Sequence, residues 1–140
     1  MNTIQTKITH SFVGRCEPGE DLLAALTEFV QKKQISSASF QVIGAVKRAK
    51  LGIFEHGKYE YIEHEGALEI AAGLGNVSLK EDKPFIHCHL VLTDHKGTTL
   101  GGHLMEGCIV EPTAEVHLHV LEGSIHRRHN KDIGLWILDL

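Results

Sequence analysis

Aromatic side chains make up only 6% of the 140 residues, proline and cysteine occur three times each, and no Cys-x-x-Cys pair is present. The cysteines, Cys16, Cys88 and Cys108, are odd in number and widely spaced. That pattern excludes a disulfide framework and a thiolate zinc site and implies reduced, mostly buried thiols. No apolar run reaches the roughly 18 residues that a membrane helix needs. Met1 to Lys7 carries neither the apolar stretch of a secretory signal nor an Arg-rich transit pattern, so a soluble, cytoplasmic protein without a membrane span is expected. An excess of basic charge is missing as well. The formal charge of −4 offers phosphate backbones no global attraction and leaves nucleic-acid binding to a local patch. Without a low-complexity tract, linker or internal repeat, the length fits one domain over residues 1–140.

What the chain has in plenty is histidine, 11 residues, and glycine, 14 residues, the latter punctuating short elements. After a first strand, Gln5 to Arg15, Pro18-Gly19-Glu20-Asp21 supplies a turn and acidic residues suited to the positive end of a helix. Leu22, Leu26, Phe29 and Val30 then recur at helical spacing, with Ala25 on the same stripe and Lys32-Lys33 closing the last turn. From Ser36 the pattern turns strand-like: Ala38 to Ala45, Ala49 to Phe54, Tyr59 to His64, Ala67 to Leu79, Phe85 to Thr93, Thr98 to His103, Cys108 to Glu122 and Leu135 to Leu138. Glu55-His56-Gly57-Lys58 marks a hairpin, and Gly73 and Gly75 suggest a bulge or bend inside the long strand. The expected fold is α+β, a mainly antiparallel sheet with one prominent helix.

Within Phe85-Ile86-His87-Cys88-His89-Leu90-Val91-Leu92, strand parity sends His87, His89 and Val91 to one face and Ile86, Cys88, Leu90 and Leu92 to the other. Residues two apart on a strand lie roughly 6.5 Å from each other, a span that two imidazoles can close onto one ion. Asp94-His95-Lys96-Gly97-Thr98 places Asp at the first position of a type I turn and Gly where a bulge needs φ > 0. A three-residue loop pairs Asp94 with Thr98 and sets His89 opposite His103, whereas a two-residue loop would turn His103 to the wrong side. A further bulge at Gly101-Gly102 would upset that count. Three neutral imidazoles leave a tetrahedral ion a fourth position for water or substrate. The alternative is three hydrogen-bonded, idle histidines in a chain that contains many.

Other features compete. His117 and His119 repeat the His-x-His spacing, with Glu115 on their face, and fit either a second metal site or a solvated or subunit-facing strand surface. Glu69, between Leu68 and Ile70 on a strand expected to be largely buried, is the candidate general acid or base, or else a structural carboxylate. Glu106 follows His103 but precedes a glycine turn. The basic runs Lys47-Arg48-Ala49-Lys50 and His126-Arg127-Arg128-His129-Asn130-Lys131 read as solvated loops or phosphate-binding patches, and Arg128 is the candidate to hold a substrate carboxylate or phosphate.

Pro84 to Leu90, Gly101-Gly102-His103-Leu104-Met105-Glu106-Gly107-Cys108 and Pro112-Thr113-Ala114-Glu115-Val116 together resemble the PPC (plant and prokaryote conserved) domain. The likeness extends to Gly19-Glu20-Asp21-Leu22, Ile43-Gly44-Ala45, Leu68-Glu69-Ile70, Gly75, Arg128 and Asp132, and so covers essentially the whole chain. The resemblance implies a PPC-type α+β domain that assembles as a homotrimer and holds zinc or another divalent transition metal at His87, His89 and His103. The family is structurally similar to α-acetolactate decarboxylase, which uses a three-histidine zinc site. From this follows the leading expectation, a trimeric metal-binding protein of unassigned cellular role whose site binds a small molecule or turns it over as a lyase or hydrolase. Plant members suggest the alternative, a DNA-associated or transcription-related scaffold. Those members join the domain to an AT-hook, and this chain has no Arg-Gly-Arg-Pro or Gly-Arg-Pro core.

Overall fold

Alternation of apolar and polar residues builds the sheet. In β2 (Ala38–Glu55) the buried side chains of Ala38, Phe40 and Val42 alternate with exposed Ser39, Gln41 and Ile43. In β4 (Lys83–Thr93) Ile86, Cys88, Leu90 and Leu92 are buried between outward-facing residues, and β6 (Ile109–Leu121) buries Ala114, Val116 and Leu118 in the same way. The computed structural model describes residues 1–140. With β1 (Ile8–Cys16), β3 (Lys58–Lys80) and β5 (Thr99–Leu104), these strands form an antiparallel six-stranded sheet in the order β1-β6-β2-β3-β4-β5.

The sheet curls until β5 also pairs with the far half of β2, through Leu51 with Leu104 and Gly52 with His103. Strands β2 to β5 thereby enclose the middle of a single hydrophobic cluster. The helix α1 (Leu22–Lys32) adds Leu22, Leu26 and Val30 to it. Asp21 starts the helix: one carboxylate oxygen accepts the Ala24 N–H at 3.0 Å and the other the Gly107 N–H at 2.6 Å. The expected α+β architecture is present, and the cysteines are free and buried. A short hairpin, β7 (Arg127–Asn130) and β8 (Leu135–Leu138), leans on the end of β3, where the Leu79 N–H donates to Ile125 at 2.8 Å.

Three expectations need correction. Ala38 to Ala45 and Ala49 to Phe54 are one strand, as are Tyr59 to His64 and Ala67 to Leu79. The supposed break in β2 is a pairing irregularity between Val46 and Arg48, which bends the strand without ending it. A bulge does border Gly73, where the β2–β3 register shifts between Val42–Gly73 and Gly44–Ile70, whereas Gly75 lies in regular pairing on both sides. Their smallness matters as well, because a Cβ on Gly73 would come within 2.2 Å of Val42 Cγ1 and one on Gly75 within 2.2 Å of the Phe40 ring and 2.8 Å of the His87 carbonyl. Third, β1 begins at Ile8, three residues later than expected. The hairpin at Glu55 to Lys58 is as expected, with both His56 and Gly57 at positive φ.

Gly75→Ala must push the Phe40 ring out of the core or part β3 from β4. A loss of stability of about 1–3 kcal/mol is expected in urea unfolding. An unchanged midpoint would show that the strands absorb the methyl group.

Candidate metal centre

The turn after β4 decides which residues meet. One oxygen of Asp94 accepts the N–H groups of Lys96 and Thr98, both at 2.8 Å, and Gly97 takes φ +80°. The Asp94 N–H donates to Thr98 at 3.0 Å, closing the three-residue loop. From there Thr93 pairs with Thr99, Leu92 with Leu100, Val91 with Gly101, Leu90 with Gly102 and His89 with His103, with no bulge at the two glycines. Gly102 is needed for another reason: a Cβ there would meet the Gly52 carbonyl at 2.9 Å, where β2 crosses behind β5. His87 follows on the same face of β4, opposite Asn76 of β3.

The three imidazoles converge. Ring centroids are 5.1 Å apart for His87 and His89, 5.0 Å for His87 and His103, and 4.3 Å for His89 and His103. One nitrogen from each ring lies within 4.8 Å of the others. Three nitrogens on one tetrahedral zinc ion, at bonds of about 2.0 Å, lie roughly 3.3 Å from each other, so small side-chain rotations close the gap. Burial, the Arg127 charge and the two neighbouring imidazoles push the His87 pKa down to about 4. Burial, followed by His89, also lowers that of His103. Both rings are therefore neutral at pH 7, the form that ligates metals. Cys88 faces the core, where burial pushes its thiol up to about 12.

The basic runs hid a further member of the site. Arg127 of β7 reaches across β3 and donates to Ser78 Oγ at 2.8 Å, the Trp136 carbonyl at 2.7 Å, Asn76 Oδ1 at 3.0 Å and His87 Nδ1 at 3.3 Å. Because a guanidinium only donates, the last contact engages the one lone pair of neutral His87, which a bound metal would take in its place. Tyr59 packs edge-on against His103 at 5.3 Å, and burial raises its pKa. Strand parity could have pointed to Tyr59, which leads β3 into the site. Nothing local distinguishes Arg127 from its neighbour.

The remaining candidates lie elsewhere. Arg128 pairs with Asp139 at 3.0 Å on the exposed side of β7. Glu69 is exposed rather than buried and pairs with Thr93, four residues along β4 from His89, or roughly 13 Å. Glu106 is exposed in a groove with Arg48, Lys50, Glu63 and Glu65. His117 and His119 sit on the same outer sheet face as the triad but three strand spacings away, roughly 14 Å. His119 Nδ1 is hydrogen-bonded to Ser11 Oγ at 3.0 Å, and neither histidine gathers a three-ligand set.

Comparison with known proteins places these features in a wider group. The model of the Plants and Prokaryotes Conserved (PCC) domain matches residues 4–122. A Bifunctional protein GlmU from Synechococcus sp. strain JA-3-3Ab is 33% identical over 118 residues, 84% of this chain. The chain spans only 18% of that relative's length. A plant- and prokaryote-conserved (PPC) protein from Pyrococcus horikoshii superposes with a TM-score of 0.91 at 34% identity, over 100% of this chain and 98% of the other. A metal-containing protein from Archaeoglobus fulgidus gives a TM-score of 0.91 at 31% identity over the whole of both chains. A protein from Bacteroides thetaiotaomicron, described as a candidate DNA-binding protein, gives 0.89 at 26% identity over 99% and 98%.

The depressed pKa of His87 carries a sign for stability. Between the ordinary histidine value of 6.5 and about 4 the unfolded chain binds a proton that the folded metal-free protein refuses, so stability is full above pH 6.5 and falls as pH drops toward 4. The melting temperature should fall less over this interval in His87→Gln than in the wild type. An equal fall in both would remove His87 as the source.

Proposed function

Because this chain belongs to the Plants and Prokaryotes Conserved domain family, we propose that it is a homotrimeric metal-binding protein. His87, His89 and His103 hold a divalent transition metal, zinc foremost, and leave a fourth position for a small molecule. The convergence of three imidazole nitrogens within 4.8 Å carries this reading. The metal-containing relative from Archaeoglobus fulgidus, similar over the whole of both chains, supports it.

When bound, the ion would act as a Lewis acid toward a ligand at the fourth position, suited to lyase or hydrolase chemistry. The chain's own residues do the rest. Arg127, held by Ser78, Asn76 and the Trp136 carbonyl, keeps a positive charge beside His87. Tyr59 braces His103 and carries its phenolic proton at neutral pH. The anchoring role expected for Arg128 thus falls to Arg127, and Glu69 lies too far along the strand to touch an ion held by His89. The cellular role is left unassigned, since the match to the GlmU relatives covers under a fifth of those chains.

Assembly is supported by the outer sheet face. Val13, Ile43, Leu74 and Val91 are exposed there at 75%, 53%, 62% and 41%, an apolar band that a lone protomer leaves to water. The DNA-associated scaffold is the second reading, favoured by the description of the Bacteroides relative. Half of the lysines and arginines in its basic runs are neutralised: Lys47 pairs with Glu111, Lys50 with Glu63 and Arg128 with Asp139. Retention of an A·T-rich duplex that weakens steeply with salt would decide for it.

Protein purified after growth with zinc should contain metal in stoichiometric amount with the chain, and His89→Ala should lose most of it. Elemental analysis checks both. Less than about a tenth of an equivalent, unchanged by the substitution, would sink the proposal, since sites of this kind bind far below micromolar concentration.

A further inference from the structure

We propose that the exogenous ligand of the triad is a small organic acid, bound through its carboxylate beside the fixed charge of Arg127; this rests on the metal-centre reading above. The charges at the site lead to it. An imidazole that ligates a metal contributes no charge, Arg127 contributes one positive charge, and a divalent ion adds two more. No carboxylate offsets them. The four hydrogen-bond partners of Arg127, namely Ser78, Asn76, His87 and the Trp136 carbonyl, are all uncharged, and none of the protein's ion pairs involves Arg127 or a triad histidine. A half-buried guanidinium without a counter-ion, next to a metal centre built only from neutral ligands, demands an anion from solution.

Arg127 is also held still. Its guanidinium lies 5.1 Å over the Phe85 ring, and three of its five N–H groups donate to Ser78, Asn76 and the Trp136 carbonyl, contacts that metal binding to His87 leaves in place. It therefore supplies a preorganised charge, with no side-chain freedom left to lose on binding. A second cation, Lys80 Nζ, lies 5.5 Å from the same ring.

The surroundings separate an organic acid from an inorganic anion. Leu74 pairs directly with His89 on the exposed face, Val91 follows His89 on the same side of β4, and the Tyr59 ring stands against His103. A cationic centre rimmed by apolar and aromatic side chains suits a carboxylate that carries a hydrocarbon group. Inorganic phosphate would set some of its remaining oxygens against the apolar side chains of Leu74 and Val91, which cannot donate to them.

Cobalt-loaded full-length protein provides a readout that needs no turnover, because the visible spectrum of the ion responds to its fourth ligand. Acetate should perturb the wild-type spectrum saturably, and at concentrations at least about tenfold below acetamide, its neutral counterpart, if charge is the determinant. Inorganic phosphate should bind more weakly than acetate. Arg127→Gln should retain cobalt but bind acetate about tenfold more weakly, whereas Arg127→Lys, which keeps the charge, should recover most of the loss. Equal response to acetate and acetamide, phosphate bound more tightly than acetate, or undiminished acetate binding by cobalt-loaded Arg127→Gln would each overturn the inference. Should Arg127→Gln fail to fold, the wild-type comparison decides alone. Wild-type protein that takes up no cobalt would overturn the metal centre, and this inference with it. Cobalt uptake without an acetate response would overturn this inference only.

Discussion

The pairing register of β4 with β5 is the constraint on which the candidate site depends. Asp94 sets it by accepting two backbone N–H groups with one oxygen, and Gly97 completes it by taking a positive φ. Because side chains alternate faces along a strand, a slip of one residue would leave His87 and His89 together and turn His103 into the core, where Leu104 now sits. The register has a second guarantor. β5 is held from its other edge by β2, with Leu51 against Leu104 and Gly52 against His103, so β5 cannot slide without breaking both pairings.

The same strands separate packing from chemistry. Ile86, Cys88, Leu90 and Leu92 of β4 bury themselves in the core, and the residues between them form the site, so the site is rigid because the core is. Rigidity brings the imidazoles close even before metal binds, and closeness together with burial explains why protons are refused at His87 and His103. Arg127 adds to that effect from a separate hairpin. It joins the end of the chain to β3 and places a cation where the triad alone would have none.

Signals that are local to a segment were legible in the sequence. The parity of Phe85 to Leu92, the Asp94 to Gly97 turn, and the helix over Leu22 to Lys32 depend on neighbours only a few residues away. Glu69 looks buried from the sequence because its neighbours Leu68 and Ile70 are apolar, whereas strand alternation buries those two and sends Glu69 outward. Gly73 and Gly75 suggest a bulge or bend from the sequence, and a bulge borders Gly73, but that β2 and β4 crowd both positions only the folded sheet reveals. The break near Val46 resembled a turn because a bulge and a turn interrupt alternation alike. Arg127 and Arg128 are adjacent in a four-residue strand. Which of them faces the histidines depends on how the β7–β8 hairpin docks against β3, a tertiary fact with no sequence signature.

A site formed by register, rather than by a contiguous motif, makes a specific geometric claim about the ion. Crystals grown with zinc and without chelator, measured on both sides of the zinc absorption edge, test it most directly. One strong anomalous peak per chain is expected, bonded to His87, His89 and His103 at about 2.0–2.1 Å. A triad without a peak, or a peak held instead by His117 and His119, would contradict it.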